Sequence, residues 1–241
     1  MNFETATRTD VGRVREVNED SVYVATGEDW GLLAVADGMG GHAAGDIASE
    51  AALEEFGEFV EPRLTEGARD VGDVLTSGIT AANDHLQAMI EEDRSLDGMG
   101  TTLVAAVLGN QVATVVNVGD SRAYRITDNA IEQVTVDQSL VQQLVDSGEI
   151  TEAEAETHPQ RNVVSQALGT SESVDPDTYE IPADGWLLLC SDGLTEEVSE
   201  ASIHEVATTA ANPESAADTL IERAKNNGGS DNISAVIGRL K

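Results

Sequence analysis

The chain has 241 residues, enough for one large domain or two small ones and enough to bury a core without staples. Thirteen Lys+Arg against 45 Asp+Glu leave a net charge of −32, a surface that repels nucleic acid and anionic lipid and so argues against both as direct partners. One cysteine, Cys190, rules out an internal disulfide framework and fits a reducing compartment.

In chain order, Met1-Asn2-Phe3-Glu4-Thr5 lacks the basic region and apolar stretch of a signal peptide, and no apolar run approaches the roughly 20 residues that span a bilayer. A soluble, cytoplasmic protein is expected. Residues 2–9 and 21–26 read as strands, with a turn between them that carries Arg15-Glu16-Val17-Asn18-Glu19-Asp20. The apolar run at 31–36 reads as a buried strand ending at Asp37, after which Gly38, Gly40 and Gly41 open a tight loop. Helical spacing follows near 43–60 (Ile47, Ala51, Phe56, Phe59) and 71–92 (Val74, Ile79, Leu86, Ile90).

The segment 101–135 is rich in strands, at 101–108, 112–118, 123–126 and 131–134, with Gly109-Asn110 as a hairpin turn. A polar helical insertion near 138–156 comes next. Strands are predicted at 177–181 and 186–190, helices at 200–209 and 213–226, and a last strand at 233–239. Cys190 closes the apolar run Trp186-Leu187-Leu188-Leu189, with no basic neighbour in the sequence to stabilise a thiolate, so it reads as a buried strand residue. Strands in antiparallel order, with paired helices between them, predict an α+β fold: two packed antiparallel sheets flanked on both sides by helix pairs. With no linker or repeat, residues 1–241 read as a single domain, and the chain is expected to be a monomer.

The acids are dispersed rather than blocked, and 40% apolar content argues against disorder. The charge then reads as adaptation to a salt-rich cytoplasm, where a Debye length of about 3 Å at 1 M screens self-repulsion.

Four short motifs carry the chemistry: Arg15 to Asp20, Asp37-Gly38-Met39-Gly40-Gly41-His42, Ser191-Asp192-Gly193-Leu194 and Ser230-Asp231-Asn232. Each sets one or two carboxylates near a strand end. If the fold gathers them, like charges cannot all stay ionised without a canceller, and hard divalent cations prefer such oxygen ligands. That points to a metal-dependent hydrolase.

Together with Met99-Gly100-Thr101-Thr102, Gly119-Asp120-Ser121-Arg122-Ala123-Tyr124 and Gly228-Gly229, these motifs stand in one order along the whole chain. In this the chain resembles the PP2C-type (PPM) metal-dependent serine/threonine phosphatases in their bacterial and archaeal form. The resemblance implies a pair of Mn²⁺ or Mg²⁺ ions bridged by Asp37, with the Gly38 carbonyl on the second ion and Asp192 and Asp231 on the first. It implies that Glu19 and Asp20 orient metal-bound water, with or without direct contact to an ion, and that Asp120, with Asp192, forms a third, weaker site. For Asp120, capping the Gly119–Ser121 turn is an equal alternative. It implies that Arg15 grips the substrate phosphate and that residues 137–162, including His158-Pro159-Gln160-Arg161-Asn162, form a flap beside the site.

Two ions about 3.5–4 Å apart can lower the pKa of a bridging water and aim it in line at phosphorus, without a phosphoenzyme. Animal members carry a general-acid histidine directly after the Asp-Gly pair. Here Met39 fills that slot and His42 follows three residues later, so the proton donor is either His42 or a water on the third ion. Phosphorylated proteins, products of a serine/threonine kinase, are the implied partners. A non-catalytic phosphoprotein-binding module and a small-molecule phosphatase using the same centre are the alternatives.

Overall fold

The computed structural model describes residues 3–40, 44–155 and 157–240. Its strands are β1 (Phe3–Asp10), β2 (Asp20–Thr26), β3 (Gly31–Met39), β4 (Gly100–Thr101), β5 (Leu103–Leu108), β6 (Val112–Val118), β7 (Arg122–Ile126), β8 (Ile131–Gln133), β9 (Asp177–Pro182), β10 (Trp186–Cys190) and β11 (Ile233–Leu240). Its helices are α1 (Gly45–Thr65), α2 (Val71–Glu92), α3 (Leu140–Asp146), α4 (Glu152–Ala155), α5 (Asp192–Thr195), α6 (Glu200–Thr209) and α7 (Pro213–Asn227).

Two antiparallel sheets form, in the orders β1-β11-β10-β7-β8 and β2-β3-β5-β6-β9, with β4 added to β3. Alternation along each strand separates three cores, since successive side chains point to opposite faces. Leu33, Val35, Val104, Ala106, Val115, Leu187, Leu189 and Val236 pack between the sheets. Leu32, Ala34, Leu103 and Val116 face α1 and α2, while Tyr124, Leu188, Ala235 and Ile237 face α6 and α7. The predicted α+β sandwich of helix pairs around two sheets is the fold observed. No helix among the described residues is long and apolar enough to cross a membrane.

Two local expectations, at the end of β3 and along α1, need correction. β3 continues through Asp37 and Gly38 to Met39, because Gly38 and Met39 pair with Thr101 and Gly100 of β4. The Asp192 turn opens directly into α5, with Ser191 as its N-cap residue. The buried stripe of α1 runs through Ala48, Ala52, Phe56 and Val60 and leaves Ile47 exposed. The predicted insertion near 138–156 resolves into two short helices, α3 and α4.

Antiparallel pairing is what positions the site. A strand that ends at one end of a sheet lies beside neighbours that begin there. β3 reaches Asp37 where β2 starts at Asp20, and the two residues are direct cross-strand partners. β10 ends at Cys190, opposite the first residue of β7, Arg122, and two residues into β11 at Ala235. Asp192, the Asp120 turn and the Asp231 turn therefore come to the same end of the sandwich.

Candidate active site

Asp20 and Asp37 face each other across the β2–β3 pair, an arrangement that like charges disfavour. Burial, then Asp20, Asp192, Asp120 and Asp231 in turn, hold the Asp37 carboxyl far above its ordinary range. Burial is also the first cause at the other three. It lifts Asp192 to about 8 with help from Asp120, Glu196, Asp231 and Asp20. It lifts Asp120 to about 6 with help from Asp137, and Asp20 to about 6 against hydrogen bonds from Ser191 and Ser234. Glu19 is raised by burial as well, with Arg15 opposing. The acids of all four motifs thus share one volume.

The backbone beneath them is tightly held. The Asp37 N–H donates to Thr102 Oγ1 (3.0 Å), and the Asp37 carbonyl accepts from Thr102 N–H and Thr101 Oγ1 (2.9 Å each). Thr102 Oγ1 in turn pairs with Ser121 Oγ at 2.8 Å, which ties Asp37 to the Asp120 turn. Ser191 Oγ donates to Asp20 Oδ2 at 2.7 Å and accepts from Ser234 N–H at 3.0 Å. Thr101, Thr102, Ser121, Ser191 and Ser234 all lie buried. Thr101, Thr102, Ser121 and Ser191 stand in the sequence motifs without a task of their own, and Ser234 carries no sequence signal at all.

Asn232 stitches the first motif to the last. Its Oδ1 accepts from Glu19 N–H (2.9 Å), and its Nδ2 donates to the carbonyls of Val11 (3.0 Å) and Val17 (2.9 Å). Asn232→Ala is expected to leave these three groups without their partner and to cost about 2–4 kcal/mol. Urea unfolding checks this, and a midpoint equal to wild type would contradict the role.

Gly38 has a packing reason beside the one the resemblance suggests. A Cβ there would overlap the Gly45 carbonyl oxygen and the Glu19 carbonyl oxygen, so α1 can approach the site only over a glycine.

Arg15 places Nη2 2.7 Å from Asp231 Oδ2 and Nη1 3.7 Å from Glu19 Oε2, with its side chain 46% exposed at the rim. Residues 137–162 are anchored at their root. Arg122 grips Asp137 bidentately (Nε–Oδ1 2.9 Å, Nη2–Oδ2 2.6 Å), and the Gln138 N–H donates to the Gly119 carbonyl. Arg161 meets Glu196 at 3.5 Å, next to α5. His158 Nδ1 accepts from Gln160 N–H, as a turn residue would, while His204 pairs with the Thr127 carbonyl and His85 with Glu55, away from the acids. His42 lies outside the described residues.

Cys190 is buried as expected, and burial pushes its thiol up to about 12. It does have a basic neighbour that sequence adjacency could not reveal, since Arg122 is its cross-strand partner, but Asp137 engages that guanidinium.

A family profile described as Protein phosphatase 2C matches residues 12–227. The chain belongs to the protein phosphatase 2C family. It is 39% identical over 234 residues to the serine/threonine phosphatase stp of Listeria innocua, covering 95% of this chain and 93% of that protein. To the serine/threonine protein phosphatase PstP of Mycobacterium tuberculosis it is 41% identical over 234 residues, 96% of this chain but 44% of the longer relative. A crystal structure of the M. tuberculosis phosphatase PstP/Ppp superposes with a TM-score of 0.90 at 39% identity, covering 99% of each chain. A PstP catalytic domain in complex with two manganese ions does so at 0.86 and 38%, covering 98% of this chain and 97% of that one. This phosphatase 2C member therefore shares its fold, and sequence similarity along 95–96% of its own length, with named serine/threonine phosphatases.

Among the described residues, no three His, Cys, Asp or Glu side chains already close on one point as metal ligands. The donor set nevertheless suits a hard cation. It is all oxygen, its members raise one another's pKa, and buried Asp20 keeps Oδ1 without a hydrogen-bond partner.

Proposed function

We propose that this chain hydrolyses phosphoserine and phosphothreonine in proteins, as a single domain spanning residues 1–241, with Mn²⁺ or Mg²⁺ as cofactor. The observation that carries the reading is the opposed Asp20–Asp37 pair, with Asp192, Asp120 and Asp231 acting on Asp37 at one end of the sandwich. Carboxylates packed this way cost free energy until cations neutralise them. Asp37, the Gly38 carbonyl, Asp192 and Asp231 would hold two ions, and Asp120 with Asp192 a weaker third. Bound there, the cations would supply an activated water and charge neutralisation at phosphorus.

The chain's own residues do the rest. Asp20, held by Ser191 and keeping Oδ1 without a partner, and Glu19, held at its backbone by Asn232, orient water. Arg15 offers a planar fork that matches phosphate oxygens. Its hydrogen bond to Asp231 must yield when substrate arrives. His42 is a candidate to protonate the leaving alkoxide. Residues 137–162 border the site as a flap.

The deciding experiment incubates purified protein with Mn²⁺ in molar KCl, separately with p-nitrophenyl phosphate, a phosphothreonine peptide and metabolite phosphates. Hydrolysis of the first two, with metabolite phosphates turned over more slowly, is expected. Peptide binding by calorimetry without phosphate release would favour a docking module, and preference for metabolites a small-molecule phosphatase.

The charge of −32 supports a salt-adapted origin and a cytoplasmic setting. Raising KCl from about 0.1 M to about 2 M is expected to raise the thermal midpoint by about 10 °C, through screening of self-repulsion. A midpoint that stays put in a circular-dichroism melt would contradict that.

A further inference from the structure

Among the described residues only six large apolar side chains stand exposed, and the most exposed of all, Val14 at 68%, is the immediate neighbour of Arg15. Val17, at 52%, follows two residues after Arg15. Single exposed valines usually carry no meaning. These two differ in where they are and in how firmly their loop is held.

The loop is fixed from several sides. Gly12 N–H donates to Asp10 Oδ1 and Arg13 N–H to the Gly229 carbonyl, while Arg13 Nε donates to the Lys225 carbonyl and Arg13 Nη2 to Asn226 Oδ1. At the two ends of the loop, Asn232 Nδ2 donates to the carbonyls of Val11 and Val17. The middle of the loop, Arg13 to Val17, is thus presented to solvent from a rigid base, with two arginines and one glutamate on a chain whose total charge is −32.

We propose that Val14 and Val17 form an apolar platform for the side chains that flank the phosphorylated residue, so that the enzyme favours phosphopeptides with aliphatic residues within two positions of the phosphoserine or phosphothreonine. The inference rests on the phosphatase reading above and on Arg15 as the phosphate grip. An extended peptide advances about 3.3–3.6 Å per residue. Val14 and Val17 stand one residue before and two residues after Arg15, so the first and second neighbours of a phosphorylated residue seated at that arginine come within reach of them. Glu16 and Glu19 bracket Val17 and oppose an acidic flank. A small phosphate monoester carries no flanking residues to meet either valine.

The test uses the full chain with Mn²⁺ and three substrates: p-nitrophenyl phosphate, a phosphothreonine peptide flanked by leucines, and the same peptide flanked by serines. Wild type should show a KM about five- to tenfold lower for the leucine peptide, the effect of partly covering two valines. Val14→Ser with Val17→Ser should erase that difference by raising the leucine-peptide KM, while p-nitrophenyl phosphate kinetics report whether the centre is assembled. Equal KM values in wild type, or a preference that survives in the double variant, overturn the platform and leave the phosphatase reading standing. No turnover of any of the three substrates overturns both. Should the double variant fail to fold, the wild-type comparison of the two peptides and the single variant Val14→Ser decide the matter.

Discussion

Asp37→Ala is expected to lower Mn²⁺-dependent turnover about a thousandfold or more, which corresponds to roughly 4 kcal/mol of transition-state stabilisation. The same change should leave the fold intact and raise the metal-free stability. The reason is that the Asp37 carboxyl is held well above its ordinary range, first by burial and then by four neighbouring aspartates. Its backbone is fixed by Thr101 and Thr102, whose bonds reach only the main-chain atoms of Asp37, so truncating the Asp37 side chain does not loosen the strand. Activity on p-nitrophenyl phosphate and a urea titration without metal check the two halves together. A variant that keeps substantial Mn²⁺-dependent activity would contradict the assignment of Asp37 as a ligand, and one that loses activity because it unfolds would contradict the stability half.

The opposite signs expected for activity and stability explain what was legible in the sequence. The acids, the glycines beside them and their place at strand ends could be read directly, because a carboxylate at the end of an apolar run has little reason to be there except chemistry. The continuous apolar runs of β3, β5 and β10 and the Gly109 turn pointed to strands and one hairpin, and Gly109 N–H does bond the Val112 carbonyl. What could not be read was long-range pairing. Nothing local says that β11 lies between β1 and β10, yet that placement brings Asp231 and Asn232 back to Arg15 and Glu19.

The hydroxyl supports were hidden for a different reason. Ser191, Ser234 and Thr102 are ordinary turn and strand residues by type, and only burial turns their hydrogen bonds into constraints. The α1 stripe misled because small residues carry it. Tyr23 lies over Gly57 so closely that a Cβ there would clash with its ring, and Ala48 and Ala52 are fully covered, whereas the larger Ile47 points to water. Hydrophobic spacing weights size, and this helix needed closeness.

Metal and pH should act on stability through the same acids. In the metal-free protein the carboxyls of Asp20 and Asp120 are lifted to about 6 and that of Asp192 to about 8, against an ordinary value near 4. A folded-state pKa above the unfolded one means that the native state binds more protons between the two values. Stability must therefore fall as pH rises through that window, here from about 4 to about 8. Because the groups are coupled, the loss is that of the cluster and amounts to several kcal/mol on the order of magnitude set by such shifts. General repulsion among the 45 acids works in the same direction, so Asp37→Asn serves as the reference: it removes one ionisable member of the cluster while altering the net charge by at most a single unit. Thermal melts of the metal-free wild type are expected to drop steeply from pH 5.5 to pH 8, and those of Asp37→Asn less so. Saturating Mn²⁺ should flatten the wild-type curve, since bound cations keep the carboxylates ionised and a ligand at 100 times its Kd adds about 2.7 kcal/mol. Parallel curves for wild type and variant, with or without Mn²⁺, would mean that the acids at this end of the sandwich neither repel one another nor receive a cation.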